Sequence, residues 1–206
     1  MLFKILIIGD VGTGKSSIVR RYVHNLFNQY YKATVGVDFA LKLLVWDLDV
    51  LVRLQLWDIS GQDRFGNMTR VYYKDSHGAV IVFDSTRNDT YDGALRWKAD
   101  LDNKVNLADG KPLPSVLLAN KCDVENNVTD EKLIEYCKKE GFVGGFRTSA
   151  KANIGIEEAF RYLTGRIIER EKEGQYEIPV LQHDGNLRKI NLSLNNKAQG
   201  STRCCT

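Results

Sequence analysis

Apolar positions in this chain come in short runs set far apart. Ile5 to Ile8, Ala79 to Phe83 and Val116 to Ala119 are apolar without alternation, as strands buried on both faces must be. Strands are predicted over Phe3 to Ile8, Phe39 to Trp46, Leu51 to Trp57, Ala79 to Phe83, Ser115 to Ala119 and Gly145 to Thr148. Between them, helical patterns fit Ser16 to His24, Tyr91 to Leu107, Thr129 to Glu140 and Gly155 to Glu173. In the last helix Ile156, Ala159, Phe160, Leu163 and Ile167 recur at helical spacing, which marks a core face rather than a cofactor box. Asp47-Leu48-Asp49 reads as a tight hairpin turn, so one edge strand runs antiparallel. The alternation predicts an α/β three-layer sandwich, with a six-stranded, mostly parallel sheet and helices on both faces. No internal repeat is visible.

Chemistry gathers where those strands end. Gly9-Asp10-Val11-Gly12-Thr13-Gly14-Lys15-Ser16, followed by Ser17, fits G-x-x-x-x-G-K-[ST] directly after the first strand. The glycines let backbone N–H groups turn around phosphate oxygens, Lys15 reaches the outer phosphates, and the Ser16 hydroxyl suits a magnesium ion. Helix dipole and loop amides add to that cradle. The plain alternative, a Gly-rich strand-to-helix turn, is countered by three further motifs in order. Trp57-Asp58-Ile59-Ser60-Gly61-Gln62 sets an acid for magnesium just beyond a strand, and its Gly61 allows close approach to a terminal phosphate. Asn120-Lys121-Cys122-Asp123 offers a carboxylate to the N1–H and exocyclic amine of guanine, an arrangement adenine lacks. Ser149-Ala150-Lys151 would present backbone to the guanine O6. Ligands of open α/β sheets bind beyond such strand ends.

With these motifs the first 173 residues resemble the Ras superfamily of small GTPases and, within it, the Rab family. The resemblance implies a phosphate-binding Lys15, direct magnesium ligands Ser16 and Thr34, an outer-shell acid Asp58, and a Gln62 that orients the attacking water. It implies that Phe27 packs on the guanine base, and that Lys32-Ala33-Thr34-Val35-Gly36 is a first switch closing on the terminal phosphate. Gly36-Val37-Asp38-Phe39 and Trp57-Asp58, with Arg64-Phe65 and Tyr72-Tyr73, are similar to Rab signatures. Phe65 to Tyr73 and Trp97 to Asp102 resemble the Rabs of lysosome-related organelles. On that likeness Phe39, Trp57 and Tyr72 are expected to meet effectors, although all three types are also routine core residues. The resemblance further implies slow GTP hydrolysis to GDP, an exchange factor, a GTPase-activating protein, a GDP-dissociation inhibitor and an escort protein. Two departures bear on rate: Val11 stands at a position the Ras proteins fill with glycine, and Ser60 replaces the usual alanine. A constitutive nucleotide-holding scaffold and a P-loop ATPase or nucleotide kinase are the rival readings. Intact Thr34, Asp58 and Gln62 weigh against the first, Asp123 and Ser149 to Lys151 against the second.

Composition adds bounds. The 206 residues suit one substantial core and are too few for two ordinary domains. Lys+Arg 29 against Asp+Glu 26 leaves +3, with no clustered basic stripe, so nucleic acid is not an expected partner. Apolar runs fall short of the roughly 18 residues that span a bilayer, and the start shows no signal-peptide pattern, implying a cytosolic protein. His24, His77 and His183 lack metal-ligand spacing, and Cys122 and Cys137 are isolated thiols. From Gly174 the composition turns to Asn, Gln, Ser and Gly without a period, which predicts a disordered tail. It ends Arg203-Cys204-Cys205-Thr206, where the bland reading is two exposed thiols. Rab tails with paired cysteines are similar and carry two geranylgeranyl groups, so the resemblance implies lipidation of Cys204 and Cys205. Attachment to the cytoplasmic face of endosomal, lysosomal or lysosome-related membranes, cycling with cytosol, is then expected.

Overall fold

Thirteen elements follow one another in a computed structural model that describes residues 1–30, 33–62, 68–107, 110–124, 128–172 and 180–181. They are β1 (Leu2–Ile8), α1 (Lys15–His24), β2 (Val37–Asp47), β3 (Val50–Ile59), α2 (Met68–Tyr73), β4 (Gly78–Asp84), α3 (Asn88–Lys104), β5 (Val105–Asn106), β6 (Ser115–Asn120), α4 (Asp130–Glu140), β7 (Gly144–Thr148), α5 (Ile156–Lys172) and β8 (Val180–Leu181). Six strands form one sheet in the order β2-β3-β1-β4-β6-β7. Five are mutually parallel, while β2 runs antiparallel on the β3 edge, as the Asp47 to Asp49 hairpin predicts.

Alternate residues of the central strands feed two cores. Ile5, Ile7, Leu54, Leu56, Val80 and Val82 point into a cluster with Ile18 and Tyr22 of α1 and Phe160, Leu163 and Ile167 of α5. Leu6, Ile8, Ala79 and Ile81 point the other way, onto Trp97 and Leu101 of α3, Leu133 of α4 and Tyr73 of α2. Each fully buried Val, Leu, Ile or Phe side chain among them contributes about 1.5–3 kcal/mol. Local chemistry ends the helices where they must stop: in α4, Thr129 caps the first turn through a bond from Lys132 N–H, and Gly141 closes the last in the left-handed region at φ 71°.

Several element ends shift by one to three residues from the sequence pattern, α3 for one beginning at Asn88 rather than Tyr91, and three differences bear on the fold. β3 continues to Ile59, so Asp58 lies within the strand, paired opposite Asp38, rather than beyond it. α3 stops at Lys104, not Leu107, because Val105 and Asn106 turn extended to pair with Val180 and Leu181. That pairing also gives the segment expected to lack regular structure one short strand. α2 was not predicted: its six residues are too few to show a helical period. Residues 32, 64–67, 183 and 203–206, with the expectations placed on them, lie outside the described residues.

Candidate functional site

β1, β3, β4, β6 and β7 all end on the same side of the sheet, at Ile8, Ile59, Asp84, Asn120 and Thr148. The loops leaving those ends carry all four motifs, and they enclose a cavity of about 330 Å³. At one end the chain wraps from β1 into α1. Gly9 passes so close to β4 that a methyl group on it would overlap the Val82 carbonyl oxygen, and Gly12 and Gly14 take φ of 78° and 95°. Lys15 opens α1 with a buried amine, which donates to the Asp10 carbonyl at 3.0 Å; Thr13 Oγ1 donates to the same oxygen at 2.9 Å. Burial lowers the Lys15 amine to about 8, against the pull of Asp58 and Asp10. An ammonium so poorly solvated is a ready partner for phosphate.

Beside it, three oxygen-bearing side chains converge from α1, the segment before β2, and β3. Ser16 Oγ lies 2.8 Å from Thr34 Oγ1 and donates to Asp58 Oδ2, while Thr34 Oγ1 reaches that carboxylate at 3.4 Å. Among the described residues Asp58 Oδ1 is buried without a partner, and burial pushes the carboxyl pKa up, opposed by the Ser16 bond and the Lys15 charge. Two hydroxyls and a desolvated carboxylate with an unpartnered oxygen are the donor set of a hard cation such as Mg²⁺. The residues therefore fit that ion. Gly36, at φ 68°, accepts from Ser60 N–H at 2.8 Å and ties the Thr34 segment to the end of β3.

Asn120 builds the far end. Its Nδ2 donates to the Thr13 carbonyl at 2.9 Å, and its Oδ1 accepts from Ala150 N–H and Thr148 Oγ1, each at 3.3 Å. One buried amide thus joins the phosphate loop to the Ser149 to Lys151 segment, and Gly14 has no room for a methyl group against it. Asp123 Oδ1 accepts from Ser149 Oγ at 2.6 Å, which aims the exposed carboxylate across the cavity mouth. Lys121 reaches Asp84 at 2.6 Å; burial would raise that acid, but bonds from Lys121 and Thr86 hold it low.

Of the residues read from sequence, Val11, Gly12, Gly14, Lys15, Ser16, Ser17, Phe27, Thr34, Gly61, Gln62, Asn120, Lys121, Asp123, Ala150 and Lys151 line the cavity. Gly9, Thr13, Asp58 and Ser149 stand behind its wall, where they shape it. Phe27 does both: it lines the opening and packs on the core below α1. Ala33 and Ser60, read from sequence as part of the first switch and of the Trp57 to Gln62 motif, also line it. Sequence reading missed Arg20, Leu26, Asn28 to Tyr30 and Val124. Leu26, Asn28 and Val124 flank a recognised residue, and adjacency is their only signal.

A sequence profile of the Ras family matches residues 4–169. Ras-related protein Rab-32 of Homo sapiens is 51% identical over 207 residues, covering 99% of this chain and 89% of that protein. Rab-32A of Dictyostelium discoideum is 52% identical over 192 residues, 91% of this chain and 88% of its own. Rab-7L1 of Mus musculus is 43% identical over 205 residues, 99% and 97% of the two chains. The chain belongs to the Rab branch of the Ras family. It is a GTPase and a molecular switch in vesicle trafficking. Ras-family GTPases bind GTP and GDP, generally with Mg²⁺. Among the described residues no helix is long and apolar enough to cross a membrane.

Away from the cavity, this Rab shows the aromatic group expected to meet partners. Phe39 of β2 stands exposed and meets Trp57 of β3 edge-on, with ring centroids 4.5 Å apart and planes at 87°. Tyr72 of α2 and Trp57 pack on the same core cluster. The Lys4 amine sits 3.5 Å over the Trp57 ring and donates to the Lys74 carbonyl, which fixes the indole plane.

Proposed function

We propose that the cavity holds a guanine nucleotide, with its phosphates in the loop from Gly9 to Ser17 and its base between Phe27 and the Asn120 to Asp123 and Ser149 to Lys151 segments. The observation that carries this reading is the Asn120 amide, which binds the phosphate end and the base end into one rigid frame. Ser16, Thr34 and, from behind, Asp58 would hold Mg²⁺, which when bound neutralises charge on the terminal phosphates. The protein's own part is positioning. Loop amides and Lys15 stabilise charge on the transferred phosphoryl group, and Gln62 aligns the attacking water, so no histidine or carboxylate base takes part. Thr34, held against Ser16 and Asp58, couples the terminal phosphate to the first switch.

In the GTP state, Phe39, Trp57 and Tyr72 would receive effectors. Cys204 and Cys205 would carry geranylgeranyl groups added with an escort protein, extracted by a GDP-dissociation inhibitor, at the cytoplasmic face of endosomal, lysosomal or lysosome-related membranes. An exchange factor and a GTPase-activating protein would drive the cycle. Competition binding tests the nucleotide assignment. ATP should bind worse than GTP by orders of magnitude, because a charged acceptor without its donors loses about 1–3 kcal/mol or more. Asp123→Asn should weaken GTP and admit xanthosine triphosphate. ATP binding within about tenfold of GTP would remove the base-recognition role of Asp123.

A further inference from the structure

Asp10 sits inside the phosphate loop, where a carboxylate aimed at the cavity would repel phosphate. Its side chain instead turns away, into a seat on α3. The Trp97 indole N–H donates to Asp10 Oδ1 at 3.0 Å, and the Arg96 guanidinium lies 3.6 Å from Oδ2. Gly93, one turn before Trp97, completes the seat: a methyl group there would overlap the carboxylate. Positions 93, 96 and 97 share one face of the helix, and Trp97 is fully buried in the core beneath it.

The main chain of the same residue is a junction. The Asp10 carbonyl receives both the Lys15 amine and the Thr13 hydroxyl. Gly61, at the entry to the Gln62 segment, rests on the Asp10–Val11 peptide so closely that a methyl group on it would fall 2.6 Å from the Asp10 carbonyl carbon. Fixing the Asp10 side chain therefore fixes the peptide against which the phosphate-binding lysine and the switch glycine are both referenced.

We propose that Gly93, Arg96 and Trp97 form a seat for Asp10 that positions the phosphate loop and sets the rate of nucleotide release. The inference rests on the nucleotide reading above. Trp97 touches no nucleotide; it is a positioning residue, acting through Asp10. Arg96 is half exposed, so it contributes less than the buried indole bond.

Release of a fluorescent GDP analogue in excess Mg²⁺ is the measurement, made on the full chain beside thermal melting. Trp97→Phe deletes the N–H and keeps the aromatic body, and should speed release roughly tenfold, the equivalent of one hydrogen bond to a charged acceptor. Gly93→Ala should do the same by ejecting the carboxylate without removing a core atom. Asp10→Asn keeps an acceptor for the indole and should stay within about threefold of wild type, and Trp97→Phe should add nothing in an Asp10→Ala background. A merely structural Trp97 would lower the melting temperature and leave release unchanged. Wild-type release in both Trp97→Phe and Gly93→Ala, or additive effects in the double variant, would overturn the seat. Should Trp97→Phe not fold, Gly93→Ala decides alone. Failure of the wild-type chain to bind the GDP analogue would sink the nucleotide reading instead.

Discussion

Single side chains in this molecule act by where burial leaves them. Val11 lines the cavity with a β-branched side chain, and Gly61 abuts its main chain, so the space between the phosphate loop and Gln62 is narrow. Val11→Gly should raise single-turnover GTP hydrolysis in the presence of Mg²⁺. An unchanged or lower rate would remove the steric explanation and leave Ser60, whose Oγ accepts from Gln62 N–H at 3.3 Å, or switch mobility as the cause of slow turnover. Lys15 supplies a pH signature. In the free protein its buried amine titrates near 8, and phosphate oxygens beside it would raise that value. Binding then takes up a proton once pH exceeds 8, so GDP affinity should be flat in this group below that point and fall as pH rises above it, by at most about tenfold per unit. Titrations between pH of about 7 and about 9 read the slope, and Lys15→Met should abolish it.

At the scale of elements, what was legible followed from pattern, and what was not depended on distance along the chain. Unbroken apolar runs such as Ala79 to Phe83 announced β4, and the pattern from Thr129 to Glu140 placed α4 to within a residue. The four motifs were found because each lies at or just past the end of a strand. The end of α3 was misplaced because Val105 and Asn106 pair with Val180 and Leu181, some 75 residues on, instead of continuing the helix. The seat of Asp10 on Gly93 and Trp97, and the span of Asn120 between two loops, join residues 30 to over 100 positions apart and leave no local mark. The junction of β7 with α5 shows how tightly elements hold the site. Gly155 sits at φ 67° where a methyl group would overlap the Arg147 carbonyl, beside the Ser149–Ile154 bridge that frames the Ser149 to Lys151 turn. Gly155→Ala should cost roughly 2 kcal/mol or more in denaturant unfolding and weaken GDP binding through the displaced turn. Full stability with normal affinity would show that the turn is not braced there.

For the whole molecule, the proposed anchoring is expected to be separable from folding. The G domain buries its two cores without the terminal cysteines, and the tail's positive charges Arg188, Lys189, Lys197 and Arg203 fall well short of a polybasic patch. On the proposed lipidation of Cys204 and Cys205, lipid chains at about 0.8 kcal/mol per buried CH₂ would do nearly all of the anchoring. The Cys204→Ser/Cys205→Ser double variant should stay in the soluble fraction, retain GTP binding and hydrolysis, and lose its organelle. Sedimentation with membranes in the absence of effectors would assign the anchor elsewhere. The sheet itself adds a colloidal consequence. α2, α3 and α4 cover only part of one face, and over β2 and β3 the side chains of Phe39, Leu41, Leu43, Val45 and Leu51 stay open to water, continuing onto Leu2 of β1. With a net charge of only +3 to keep copies apart, that greasy flank makes a purified, partner-free sample stickier as it is concentrated, so its shelf life shortens with every step of concentration.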